Sequence, residues 1–180
     1  APLTGYMTWY SKAAAIDEKT VLGNLPILHE LFTGYPQPQR PVLILDHGWQ
    51  QNASLGPIMA EEARFPDGLG RLADAIKEHG LEPGIWHSLT HFTEDSPNRE
   101  ELADTLARDT EGRPLHGTLN LWDAFPDESH EREVNVPDAN LPATHALWRR
   151  QLQSLSALGM RYFKLDFLAL RTADETRDTV

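Results

Sequence analysis

Short apolar runs alternate with amphipathic stretches along this chain. Tyr6-Met7-Thr8-Trp9-Tyr10 is aromatic-rich and reads as a strand. From about Asp17 to Phe32, Val21, Leu22, Leu25, Leu28 and Phe32 recur at helical spacing, and Pro26 predicts a kink. Pro36-Gln37-Pro38-Gln39 reads as a stiff turn. It leads into Pro41-Val42-Leu43-Ile44-Leu45-Asp46, a continuous apolar run of the kind found in parallel strands covered on both faces. The stretch from Gln50 to Pro66 is polar and contains Gly and Pro. A second helix follows, with Leu69, Leu72, Ala73 and Ile76 on one face and Gly80 as its stop. Leu81-Glu82-Pro83-Gly84-Ile85-Trp86 then reads as a third, shorter strand.

Residues 88–142 are rich in Asp, Glu, Pro and His and show little periodicity. They read as irregular, apart from a short helix over 100–108 and a turn at 109–114. A loop this long in one domain is usually functional or meets something outside itself. Helical spacing returns over 143–158, with Trp148, Leu152 and Leu155 on one face and Gly159 at the stop. The strand Arg161-Tyr162-Phe163-Lys164-Leu165-Asp166-Phe167-Leu168 follows, and a polar tail begins at Arg171.

Alternation of strand and helix implies a parallel sheet with right-handed crossovers. An open doubly wound sheet and a (β/α)8 TIM-type barrel both fit. No strand is followed by a glycine-rich phosphate fingerprint, which weighs against a nucleotide-binding open sheet. Polar or aromatic residues close each strand: Trp9 and Tyr10, then Asp46, His47 and Trp49, then Trp86 and His87, then Lys164 and Asp166. In a barrel those ends converge on one mouth. The expected fold class is therefore α/β, a TIM-type barrel of which about the first four βα units are present, making a half barrel.

Composition narrows the partners. A chain of 180 residues, 40% hydrophobic and 24% charged, suffices for one globular domain. The net charge of -11 argues against nucleic acid and anionic membranes as main partners, since phosphate binding needs a basic face. There are no cysteines, so disulfides and thiolate zinc sites are excluded. No apolar stretch approaches a membrane span, and no signal-peptide pattern is visible at Ala1-Pro2. A cytoplasmic location is the expectation.

The chemistry concentrates at the last strand. Lys164 and Asp166 are two apart and share a face of it. Burying two charges is costly unless they pair or serve a reaction. The lysine also favours the ionised carboxylate, the state a nucleophile needs. A plain ion pair closing the strand is the structural alternative.

The ordered set Thr8-Trp9-Tyr10, Leu45-Asp46-His47-Gly48-Trp49, Phe65-Pro66-Asp67-Gly68-Leu69, Gly84-Ile85-Trp86 and Arg161-Tyr162-Phe163-Lys164-Leu165-Asp166-Phe167 spans nearly the whole chain. In that order it resembles the first half of the catalytic barrel of the melibiase-type alpha-galactosidases, glycoside hydrolase family 36, with kinship to family 27. The resemblance implies Asp166 as nucleophile and Lys164, Asp46 and Trp86 as sugar contacts, with Trp9, Trp49 and His47 as further candidates. It implies a retaining alpha-glycosidase acting on terminal alpha-linked sugars through a covalent glycosyl-aspartate, with no cofactor. Where the family carries paired aspartates this chain has Asp46-His47, and a neutral imidazole cannot accept two hydroxyls as a carboxylate does. The family's general acid lies near the sixth strand, outside this chain; Glu94, Asp95 and Asp123 do not match its motif. The expected partners are an alpha-linked oligosaccharide or glycoside and the remaining half of the barrel or a second copy, and the isolated chain is expected to be inactive.

Two further readings compete. Asp46, His47, His87, His91 and Asp166 are metal-ligand types, so a metal-dependent barrel hydrolase is one alternative. The other is a sugar-binding or assembly module that does not cleave.

Overall fold

The computed structural model describes residues 4–34, 39–56, 59–124 and 128–168, without the side chains of residues 53, 122–124, 128 and 129. Most of the turn predicted at 36–39, the polar tail and the Asp123 side chain lie outside the described residues.

The apolar runs build one parallel sheet from β1 (Gly5–Met7), β2 (Val42–Leu45), β3 (Glu82–Ser88) and β7 (Tyr162–Asp166), in the order β1-β2-β3-β7. Every neighbouring pair is parallel. The described strands form no closed barrel; the sheet is open at β1 and β7.

Long helices cross between these strands: α2 (Glu18–Thr33), α3 (Gly68–Glu78) and α5 (Pro142–Ala157). Asp17 caps α2 by accepting the Thr20 N–H at 2.7 Å. The helix remains a single element through Pro26, because Val21, Leu25 and Leu28 are buried on its inner face. Leu69, Leu72, Ala73 and Ile76 are the buried face of α3, as the spacing predicts. On α5 the buried face is Thr144, Leu147, Gln151 and Leu155, with Trp148 and Leu152 only half-buried beside it. All three helices pack on the side of the sheet presented by Leu43, Leu45 and Ile85, and this layer is the main core.

Two expectations are corrected. The first strand ends at Met7, and Trp9–Lys12 forms a helical turn (α1) followed by a 3-10 turn at Ala13–Ala15. Pairing with β2 carries the chain only to the Thr8 N–H, which bonds the Ile44 carbonyl at 3.1 Å. The second correction concerns residues 88–142, which hold a three-stranded antiparallel sheet of order β4-β6-β5. Its strands are β4 (Phe92–Thr93), β5 (His116–Ala124) and β6 (Glu128–Asn135). The predicted helix over 100–108 shortens to α4 (Arg99–Leu102) and a 3-10 turn, Ala103–Thr105.

The β5–β6 hairpin is fastened to the parallel sheet by an apolar cluster of Leu55, Trp86, Leu121 and Val134, with Leu119 and Phe167 against it. Its strand β5 also packs on the Ala13–Ala15 turn after β1. The inserted sheet therefore crosses the carboxyl ends of the parallel strands.

Candidate active site

Register assembles the site. Trp86 pairs with Lys164 and Ser88 with Asp166, so Trp86, Lys164 and Asp166 share the face of the sheet turned away from the helices. Asp46 follows β2 and points the same way as Ile44. These side chains line a cavity of about 190 Å³ together with Trp9, His47, Asn120, Leu121 and Phe167.

Asp46 is 1% exposed. Its backbone N–H donates to Thr8 Oγ1 at 2.9 Å, its Oδ1 accepts the His47 N–H at 2.9 Å, and its Oδ2 accepts from Lys164 Nζ at 2.9 Å. Burial pushes the Asp46 carboxyl above its ordinary range, against the opposing pull of Lys164 and the His47 N–H. Lys164 also stands 3.6 Å from Asp166 Oδ2, so one ammonium links the two carboxylates.

Asp166 is more open to solvent and its pKa moves the other way. Burial opposes ionisation, but three effects together outweigh it and hold the group below the usual carboxylate range. They are a hydrogen bond from Trp86 Nε1 at 3.0 Å, one from the Phe167 N–H at 2.9 Å, and the Lys164 charge. The indole of Trp86 therefore both walls the cavity and donates to the carboxylate. His47, 3% exposed, lies between two indoles, its ring centroid 4.8 Å from Trp86 and 6.3 Å from Trp9. Gly48, at φ +110°, makes the turn that sets His47 here; a Cβ would fall on the Ala14 backbone.

The structure thus brings Trp9, Asp46, His47, Trp86, Lys164 and Asp166 to one cavity and leaves Trp49 out. Trp49 is fully buried in the helix-facing core, where its Nε1–H donates to the Trp86 carbonyl at 2.9 Å. Strand alternation turns His87 to that same far side, with its ring 6.3 Å from Trp49. Both His87 ring nitrogens lack a hydrogen-bond partner among the described residues, and the nearby Gln151 opposes the effect of burial on the ring without offsetting it. Burial lowers the His87 pKa to about 4. No group of three or more His, Asp or Glu side chains among the described residues is placed to hold a metal ion. Glu94 and Asp95 are engaged by Arg99 and Arg132 and do not line the cavity.

Asn120, Leu121 and Phe167 are the lining residues that the sequence reading did not single out. The alternation Thr118-Leu119-Asn120-Leu121 was a strand signal within the stretch read as irregular.

Fold and site together define a class: a parallel α/β sheet whose paired carboxylates, lysine and indoles gather at the carboxyl ends of its strands. No family model matches the chain. Among curated proteins it is 30% identical over 117 residues to alpha-galactosidase mel1 of Schizosaccharomyces pombe, covering 59% of this chain and 26% of that one. Among solved structures it is similar to an alpha-galactosidase of Thermus thermophilus in complex with stachyose. That match has a TM-score of 0.72 and 29% identity, covering 93% of this chain and 32% of the other. The family 36 alpha-galactosidase AgaA of Geobacillus stearothermophilus shares the fold, with a TM-score of 0.69 at 19% identity over 92% of this chain and 21% of that one. The chain spans about a quarter to a third of the first two of these proteins. In sequence and fold it resembles the alpha-galactosidases.

Proposed function

We propose that residues 1–180 are the nucleophile-bearing part of a (β/α)8 glycoside hydrolase barrel of the alpha-galactosidase type, acting on terminal alpha-linked sugars. The observation that carries this reading is the line Asp46–Lys164–Asp166, with Trp86 donating to Asp166, at the wall of one small cavity. The cavity's volume suits one sugar ring better than a long segment of chain.

Asp166 is the nucleophile. It is held ionised by donors that leave it partly exposed, and it attacks the anomeric carbon to give a glycosyl ester that water then hydrolyses. A retaining pair of carboxyl groups stands about 5 to 5.5 Å apart, and the second member protonates the leaving oxygen. Asp46 does not fill that role, being tied to Lys164 and the His47 N–H; the general acid comes from the remainder of the barrel. Lys164 donates one N–H to Asp46 and stands 3.6 Å from Asp166, which leaves donors for a sugar hydroxyl. Trp9 and Trp86 offer apolar faces to the sugar's C–H groups. His47, wedged between them, meets the ring where it offers a single hydrogen bond. The open edges at β1 and β7 are where further strands of the barrel pair, since an unpaired edge is a template for strand addition.

One observation favours a second reading, a module that binds a glycan without cleaving it: among the described residues no carboxylate other than Asp46 and Asp166 lines the cavity. Hydrolysis of a panel of nitrophenyl alpha-glycosides by the intact protein separates the two. Asp166→Asn abolishes turnover in the hydrolase and leaves sugar affinity in place in the binder. Undiminished turnover in that variant would refute Asp166 as nucleophile.

A further inference from the structure

Phe167, directly after Asp166, has φ +55°, a left-handed backbone that a bulky residue rarely adopts. Such strain persists only where neighbouring groups hold it, and it tends to collect at functional sites. Here the groups that hold it are visible. The Phe167 carbonyl accepts from Thr90 Oγ1 at 2.5 Å, across 77 residues of sequence. Thr90 Oγ1 lies 3.0 Å from His91 Nδ1. Because the hydroxyl has one proton, and gives it to Phe167, its contact with His91 is an acceptance from an Nδ1–H, which sets the imidazole tautomer. The Phe167 ring meets the rings of His91 and Trp86 edge-on, with centroids 6.1 and 5.9 Å apart.

The turn that carries Thr90 is itself pinned. Ser88 Oγ donates to the His91 carbonyl and accepts the His91 N–H, both at 3.3 Å, and His91 is 3% exposed. On the other side of Phe167, the strained backbone turns its N–H onto Asp166 Oδ1 at 2.9 Å. A continuous chain of donors thus runs from His91 through Thr90 and the Phe167 peptide units to the carboxylate.

We infer that Thr90 is a positioning residue, whose hydroxyl clamps the Phe167 carbonyl and so keeps the Phe167 N–H aimed at Asp166. This deepens the proposed function by naming what orients its nucleophile. Without the hydroxyl, the peptide unit joining Asp166 to Phe167 rotates as Phe167 relaxes toward negative φ; that rotation takes its N–H off Oδ1, and the carboxylate keeps only Trp86 and Lys164 on its other oxygen. The charged or titratable groups facing Asp166 are Lys164 on its own strand and Asp46 and His47 after β2, with His91 behind Phe167; of these only His91 bonds to residue 90, and Thr90→Ser keeps that bond.

The test compares Thr90→Val, which keeps the shape and removes the hydroxyl, with Thr90→Ser, which keeps the hydroxyl, both in the intact protein. The Asp166 carboxyl is titrated by carbon-13 NMR, a readout that needs no turnover. Thr90→Val raises the midpoint of that titration above wild type, and Thr90→Ser restores it. Against nitrophenyl alpha-galactoside, kcat of Thr90→Val falls on the order of tenfold with KM changed less than twofold, because small misplacement of a reacting group costs rate rather than binding. An unmoved Asp166 midpoint in Thr90→Val overturns the clamp. A midpoint that moves in a protein showing no glycoside turnover upholds the clamp and refutes the hydrolase reading.

Discussion

Lowering the pH from 7 to 5 charges His87 in the unfolded chain but not in the folded one, which has no place for the charge. His87 is fully buried on the helix-facing side of β3, its ring nitrogens without a hydrogen-bond partner among the described residues, and burial lowers its pKa from 6.5 to about 4. Above pH 6.5 both folded and unfolded chains carry the neutral ring, and the site contributes its full stability. As pH falls below 6.5 the unfolded chain takes up a proton that the folded chain refuses until pH nears 4, so stability declines across that window. Linkage with these two values gives a loss of about 2 kcal/mol between pH 7 and pH 5 from this one residue. With a urea slope of roughly 2 kcal/mol/M, the unfolding midpoint moves down by about 1 M. His87→Leu removes the titrating group from an apolar layer and with it this part of the shift. Asp46 and the other carboxylates titrate in both proteins and cancel in the comparison. Urea unfolding of wild type and variant at both pH values is the assay. Equal midpoint shifts in the two proteins would refute the reasoning, since the buried ring would then have to bind its proton as readily folded as unfolded.

Further substitutions probe the cavity and its frame. Lys164→Met leaves Asp46, 1% exposed, as an uncompensated buried carboxylate, and should cost about 3 kcal/mol of stability as well as turnover, measured by urea unfolding and by hydrolysis. Asp46→Asn, which removes the charge, should restore much of the stability lost in Lys164→Met but none of the activity. Gly48→Ala combines a φ of +110° with a collision against the Ala14 backbone, so soluble expression should collapse while Gly23→Ala, with open space around it, expresses normally.

How far the chain could be read without coordinates depended on how local each signal was. The strands β2 and β7 and the face of α3 rest on uninterrupted apolar runs or clean helical spacing, and they appear where those patterns put them. The pairing of Lys164 with Asp166 on one face follows from strand alternation alone. Neighbouring strands decided the rest. Trp49 carries the same chemistry as Trp86, and only the turn after β2 decides that one indole reaches the cavity and the other the core. Strand β6 reads Glu-Ser-His-Glu-Arg-Glu-Val-Asn, with no apolar face to announce it. It is held by pairing with β5 and β4, which spacing along a single segment does not reveal. The Phe167 backbone was equally hidden, because its partner Thr90 lies 77 residues away.

The hairpin that lays Asn120 and Leu121 over the cavity belongs to a segment between β3 and α5, not to the parallel sheet. The floor and the roof of the site are thus separately encoded, the first by strands that also hold the core and the second by an insertion packed on Trp86 through Leu121 and Val134. Grafting a shorter or longer hairpin between residues 116 and 135 is a route to changing what enters the site while the floor keeps its shape.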